Sequence, residues 1–188
     1  MPKKAATRTA PRPDPSDSVD ALRLLAQLPL APYQVLVDLR SGAGGLTIPI
    51  AKHTFAGKVY ACDRSAPARE ELKQKVTHSR LSNVEVFDPK DQAKVIPPES
   101  VDGILLAMAL SEAEDKVALL KSVGDLLKKG AWAAVIEWYK RDIGAGVGPP
   151  MEQRISEEEV KELAREGGFR FSERRDLNGR HYILILRK

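Results

Sequence analysis

The run Gln34-Val35-Leu36-Val37-Asp38-Leu39 breaks at Arg40 and enters Ser41-Gly42-Ala43-Gly44-Gly45, after which Leu46 to His53 resumes a helical period. A short run with apolar residues at successive positions reads as a strand buried on both faces. Glycines let a ligand approach the backbone, and the N-terminus of the following helix offers unpaired N–H groups. Strand, glycine turn and helix in this order form a place to hold an anion or a nucleoside. A dinucleotide fingerprint would need a third glycine where Thr47 stands, so that match fails at its last position. Asp38 closes the strand. Its carboxylate either contributes to a ligand site or only organises the N–H groups of the turn.

The alternation continues on the C-terminal side. Lys58 to Asp63 reads as a second strand and Ala66 to His78 as a helix. Asn83 to Phe87 is a third strand, and residues 88–100 form a loop rich in Asp, Lys and Pro. Val101 to Ala107 is a fourth strand, Glu112 to Lys128 a helix stopped by Lys129-Gly130, and Ala131 to Trp138 a fifth strand. After a loop at 140–151, Ser156 caps a helix whose first turn carries Glu157, Glu158 and Glu159, and Gly167-Gly168 ends it. Asn178-Gly179 between two strand-like runs, Phe169–Arg175 and His181–Leu186, is a hairpin signal. On the N-terminal side, residues 19–28 place apolar side chains on one helical face, with Ser16 or Ser18 as N-cap and Pro29 and Pro32 as terminators. Five βα units followed by an antiparallel pair predict an α/β fold with a mostly parallel sheet.

Asp63 closes the second strand, 19 residues after Gly44. A carboxylate there can accept both ribose hydroxyls of a nucleoside lying across the strand ends. The alternative is a helix cap, since Ser65-Ala66 follows, and the ribose role is preferred because turn and acid occur in adjacent units.

Composition sets the outer limits. The 188 residues are 43% hydrophobic and 30% charged, as in a globular chain with one core, and no apolar run approaches the roughly 20 residues of a membrane helix. No signal-peptide pattern follows the basic start, and one cysteine, Cys62, supplies neither a disulfide nor a zinc cage; the expectation is a cytoplasmic protein without a metal. About half of the net charge of +4 sits in residues 1–18, where Lys3, Lys4, Arg8 and Arg12 outnumber Asp14 and Asp17. That stretch is too poor in apolar residues to fold, so the expected organisation is a disordered basic tail over 1–18 and a single domain over 19–188. A nucleic-acid role for the tail ranks below a solvated one.

These motifs together resemble the class I S-adenosylmethionine (SAM)-dependent methyltransferases, of the small type grouped with ubiquinone and menaquinone biosynthesis. Val35 to Gly44 is similar to the family's first motif, and Val59-Tyr60-Ala61-Cys62-Asp63 to its second. Ser100 to Leu106 resembles its fourth strand, and Leu126 to Trp132 its turn into the fifth. The resemblance implies a Rossmann-like, doubly wound, seven-stranded sheet with an antiparallel C-terminal hairpin strand beside the fifth. It implies SAM as cofactor, with Gly42, Ala43 and Gly44 facing the methionine part and Asp63 the ribose. Asp91 or Gln92 would sit near the adenine amine, and Leu106 and Ala107 would line the transfer pocket through their backbone. Asp38, Arg40, Ser41 and Arg64 complete the implied cofactor-binding set. The chain departs from the pattern where Arg40 replaces a glycine, Met108 a frequent Asn and Ser111 a frequent His. Arg40 could pair with the SAM carboxylate, or fill the space and weaken the site.

Methyl transfer is an in-line displacement, so the protein mainly positions the nucleophile and excludes water. A general base is needed only if the acceptor must lose a proton, and Glu137 and Tyr139 are the candidates. His53, His78 and His181 have neither catalytic nor metal spacing, and surface or packing roles fit them better. The glycine-rich loop at 144–151 and the helix at 19–28 would cover a small, partly apolar acceptor. The leading reading is a SAM-dependent methyltransferase with an unidentified small acceptor. A non-catalytic module on the same fold and a nicotinamide-dependent oxidoreductase are the alternatives. Oligomeric state is not legible.

Overall fold

The computed structural model describes residues 19–144 and 147–188. The basic tail, with Ser16 and Ser18, and Ala145-Gly146 of the expected lid lie outside the described residues. In chain order the elements are α1 (Ala21–Leu25), β1 (Val35–Asp38), α2 (Thr47–His53), β2 (Lys58–Cys62), α3 (Ala66–His78), β3 (Val84–Phe87), α4 (Gln92–Val95), β4 (Val101–Ala107), α5 (Lys116–Leu126), β5 (Leu127–Trp138), α6 (Glu157–Glu166), β6 (Arg170–Asp176) and β7 (His181–Arg187). They form a seven-stranded sheet in the order β3-β2-β1-β4-β5-β7-β6. The first five strands pair in parallel, and β7 runs antiparallel to both β5 and β6. The doubly wound sheet and its terminal hairpin are therefore present as expected.

Two apolar layers sandwich the sheet, because alternate residues of each central strand point to opposite faces. Val37, Ile104, Leu106, Val135 and Leu184 pack with Leu120 and Val123 of α5 and Val160 of α6. Leu36, Leu105, Ala107, Ile136 and Ile183 pack with Leu24 of α1 and Ile50 of α2. Ile104, Leu105 and Leu106 are fully buried, each contributing roughly 2 kcal/mol through removal of apolar surface from water. The strand order reverses at β1, which lies between β2 and β4. The crevice beyond the C-terminal ends of β1 and β4 is where such a sheet accepts a ligand.

Several boundaries differ from the sequence reading. Helix α1 starts later than residue 19: Asp20 is its N-cap, with the carboxylate accepting from the N–H groups of Leu22 and Arg23. Residues 88–100 are not structureless, since Asp88 caps a 3₁₀ turn over Pro89–Asp91 that runs into α4. A second 3₁₀ turn, Met151–Gln153, closes the loop after β5. Helix α5 is shorter at both ends than expected. Asp115 caps it by accepting from Ala118 N–H, which leaves residues 108–115 as a loop. At the other end the carbonyls of Asp125 and Leu126 accept from Glu99 and Ser100, so Gly130 (φ 78) is a kink inside β5 rather than a helix stop. Among the described residues no helix is long and apolar enough to cross a membrane, and no group of three His, Cys, Asp or Glu could hold a metal ion.

Candidate functional site

The glycine turn is built for close approach. Gly42 and Gly44 have φ of 51 and 92, in the left-handed region that favours glycine. A Cβ on Gly44 would fall 2.3 Å from Leu72 Cδ1 of α3, so a side chain there would have to displace Leu72 as well as adopt a strained φ. Asp38, 1% exposed, accepts a 2.7 Å bond from the Thr47 hydroxyl. Thr47 thus has a partner at the position where a dinucleotide motif would need glycine. Ala43 faces α3, its carbonyl accepting from Lys75 Nζ. The Ser41 hydroxyl is buried without a hydrogen-bond partner among the described residues.

Asp63 ties two units together. Its Oδ2 accepts from Gly42 N–H at 3.1 Å and its Oδ1 from Ser65 N–H at 2.8 Å. Ser65, not Asp63, caps α3. Arg69 donates to the Asp63 carbonyl and pairs with Asp88, fixing the backbone after β2. Each carboxylate oxygen can accept more than one bond, so the arrangement leaves room for hydroxyl donors.

A cleft of about 360 Å³ opens at the strand ends. Four of the expected cofactor-binding residues line it: Arg40, Asp63, Arg64 and Gln92. Asp91, one position before Gln92, instead pairs with Lys94 at 2.9 Å. Leu106 and Ala107 are fully buried at the end of β4. Met108 follows with φ 49, a strained backbone of the kind that clusters at ligand sites. The far wall of the cleft comes from the 108–115 loop through Ala109, Glu112, Ala113, Glu114 and Asp115. Sequence reasoning missed most of this wall by assigning the residues from Glu112 onward to a helix. The available signal was Asp115, a capping residue placed three positions before Ala118.

Glu112 reaches across to Arg40, with Oε1 2.7 Å from Nη2. Its neighbour Ser111 is held from below by Glu137, which accepts from Ser111 N–H at 2.9 Å and from Ser111 Oγ at 2.8 Å. Burial pushes the Glu137 carboxyl up to about 7, against the Ser111 bonds and the nearby Arg40, which favour the charged form. Tyr139 lies outside the cleft. Its hydroxyl donates to Asp176 and accepts from Arg174, and burial with the adjacent Asp176 raises its pKa to about 12. Cys62 lines the cleft, but burial between Asp38 and Asp63 drives its thiol far up, so it stays protonated.

The loop after β5 is staked by Arg154, which donates to the carbonyls of Pro149, Tyr139, Arg141 and Val147. His181, buried at the start of β7, packs against Trp138 with ring centroids 4.0 Å apart and the ring planes tilted by 52°. Its Nδ1 faces Asn178 Oδ1 at 3.0 Å, and burial with Arg180 and Arg154 nearby lowers its pKa to about 4.

Residues 37–133 match a family described as a methyltransferase domain. No curated protein sequence matches the chain. Among solved structures, a SAM-dependent methyltransferase from Aquifex aeolicus is 25% identical with a TM-score of 0.83, over 94% of this chain and 93% of the other. A SAM-dependent methyltransferase from Mesorhizobium loti is 17% identical with a TM-score of 0.70, over 92% and 100% of the two chains. The cyclase SpnF shares the fold at 17% identity and a TM-score of 0.76, over 89% and 79%. The last shows that the fold alone does not name a reaction.

Proposed function

The chain belongs to the methyltransferase-domain family, of the class I, SAM-dependent kind, and from that premise we propose that it transfers a methyl group from SAM to a small acceptor. The observation that carries this reading is one cleft, at the reversal of strand order, that gathers Asp63, Gln92 and Arg40 beside a turn whose Gly42 and Gly44 have positive φ. The buried Ser41 hydroxyl, which has no partner among the described residues, fits a polar ligand lying on that turn. When bound, SAM supplies an electrophilic methyl group on its sulfonium.

The protein's own residues supply binding and order. Asp63 accepts from ribose hydroxyls while its bonds to Gly42 and Ser65 keep it aimed. Gly42, Ala43 and Gly44 let the methionine part lie against backbone, Gln92 offers an amide toward the adenine edge, and Arg64 flanks the ribose. Leu106 and Ala107 present backbone at the end of β4. Glu137 acts by positioning: with both oxygens bonded to Ser111, it holds the loop that walls the cleft. Residues 19–188 work as one methyltransferase-like domain.

Calorimetric titration of SAM, S-adenosylhomocysteine and NAD into the protein and Asp63→Ala tests the reading. Binding of the two adenosyl compounds but not NAD, weakened at least about tenfold in the variant, is the expected result. The competing reading, a non-catalytic module, draws on the Arg40–Glu112 pair that already crosses the cleft. Failure of both adenosyl compounds to bind would favour it.

A further inference from the structure

Arg40 and Glu112 form the one ion pair between the two walls of the cleft among the pairs seen in the described residues, and the pair is lopsided. The Arg40 side chain is 9% exposed and that of Glu112 is 39% exposed. A buried guanidinium needs an acceptor at all times, whereas a half-exposed carboxylate can turn to water at little cost. The other charged residues of the lining are Asp63, Glu114 and Asp115 and one cation, Arg64, which is exposed to solvent. Arg40 is therefore the buried cation that the cleft offers to an anionic group.

We infer that Arg40 is the carboxylate-holding side chain of the cleft, and that Glu112 is a resident carboxylate displaced when a ligand brings its own. The inference rests on the methyltransferase reading, since the ligand carboxylate is the one at the amino-acid end of the adenosyl cofactor. Exchange of one carboxylate for another leaves Arg40 paired throughout, so the buried charge is never stranded. Ser111 supplies the pivot. Glu137 grips both its N–H and its hydroxyl, so the Glu112 side chain can swing while the loop backbone stays in place. A glycine at position 40 would offer neither the anchor nor the need for a stand-in.

Two ligands separate this from the methyltransferase reading itself. S-Adenosylhomocysteine carries the carboxylate, and 5′-methylthioadenosine has the same nucleoside and thioether without it. Titration of both into the wild type, Glu112→Ala and Arg40→Gln gives the test, with the fold of each variant checked by thermal unfolding. Glu112→Ala is expected to bind S-adenosylhomocysteine roughly fivefold tighter, and Arg40→Gln at least about tenfold weaker. Methylthioadenosine should stay within about twofold throughout, since it touches neither charge. Undiminished or tighter binding of S-adenosylhomocysteine to Arg40→Gln would overturn the inference and make Arg40 a plug. Unchanged binding to Glu112→Ala would overturn the exchange even if Arg40→Gln failed to fold. If neither nucleoside binds any of the three proteins, the methyltransferase reading falls and the inference with it.

Discussion

Arg40 and Arg154 are equally buried, each 8% exposed, yet their guanidinium groups meet different chemistry. Arg40 pairs with a carboxylate on a cleft wall. Arg154 donates to four main-chain carbonyls of one irregular loop. Carbonyls in irregular backbone have no ladder to join, so a cation that satisfies them at once stakes the segment. A carboxylate on a half-exposed side chain can be replaced by another carboxylate. The first arrangement is exchangeable and the second is structural. Each arginine also lies near a buried titratable neighbour: Arg40 favours the charged form of Glu137, and Arg154 disfavours the charged form of His181.

The sharpest way to break this contrast is stability. Arg154→Ala should lower unfolding free energy by about 3 kcal/mol, because four main-chain carbonyls, buried or part-buried, lose a charged donor together. Urea denaturation measures it, and Arg154→Lys should recover only part, since an ammonium cannot span the same fork. A loss under about 1 kcal/mol would mean that water replaces the guanidinium and that the stake is not structural.

The titratable neighbours give the next largest effect. Glu137 is raised from 4.5 to about 7, so its contribution to stability is present below 4.5 and lost as pH rises through 7. Across that window the loss is about 3 kcal/mol at most. His181 is lowered from 6.5 to about 4, so its contribution is present above 6.5 and lost as pH falls towards 4. The two slopes oppose each other in the wild type. Glu137→Gln should uncover stability that rises with pH between 4 and 6.5, and His181→Gln stability that falls between 4.5 and 7. Unfolding midpoints across pH for the three proteins check both signs, and parallel curves would show that neither group titrates in the window.

The smallest stability effect belongs to Arg40→Gln, about 1 kcal/mol, because Glu112 can turn to solvent. Its consequence is expected in ligand binding instead. A loss as large as that of Arg154→Ala would erase the distinction drawn between the two arginines.

How much of this was legible in the sequence varies with the range of the interaction. Strand β4 and helices α3 and α6 were readable to the residue or nearly so, because apolar period and local caps such as Ser156 operate over a few positions. The hairpin was readable from Asn178-Gly179. Asp20 was overlooked as a cap because it sits among helix-period residues, and α5 was overextended because its C-terminal carbonyls are taken by Glu99 and Ser100 from another unit. Around the cleft, the glycine turn and Asp63 stood out as residue types at telling spacings, and Arg40 as a departure from the motif that the turn resembles. Glu112 and the role of Glu137 did not, since each depends on a partner in a different segment.

By itself the sequence determined the α/β alternation, the mostly parallel sheet and the terminal hairpin, which follow from periodicity and turn chemistry acting over short stretches of chain. The doubly wound order and the family were legible only through the resemblance of its motifs to known methyltransferases. Only the tertiary structure decided what the buried charges do: that Glu112 answers Arg40, that Glu137 holds Ser111, and that Arg154 meets carbonyls rather than an acid. A charge buried in a low-dielectric interior must find its partner wherever the fold brings one, and that distance in space has no counterpart in spacing along the chain.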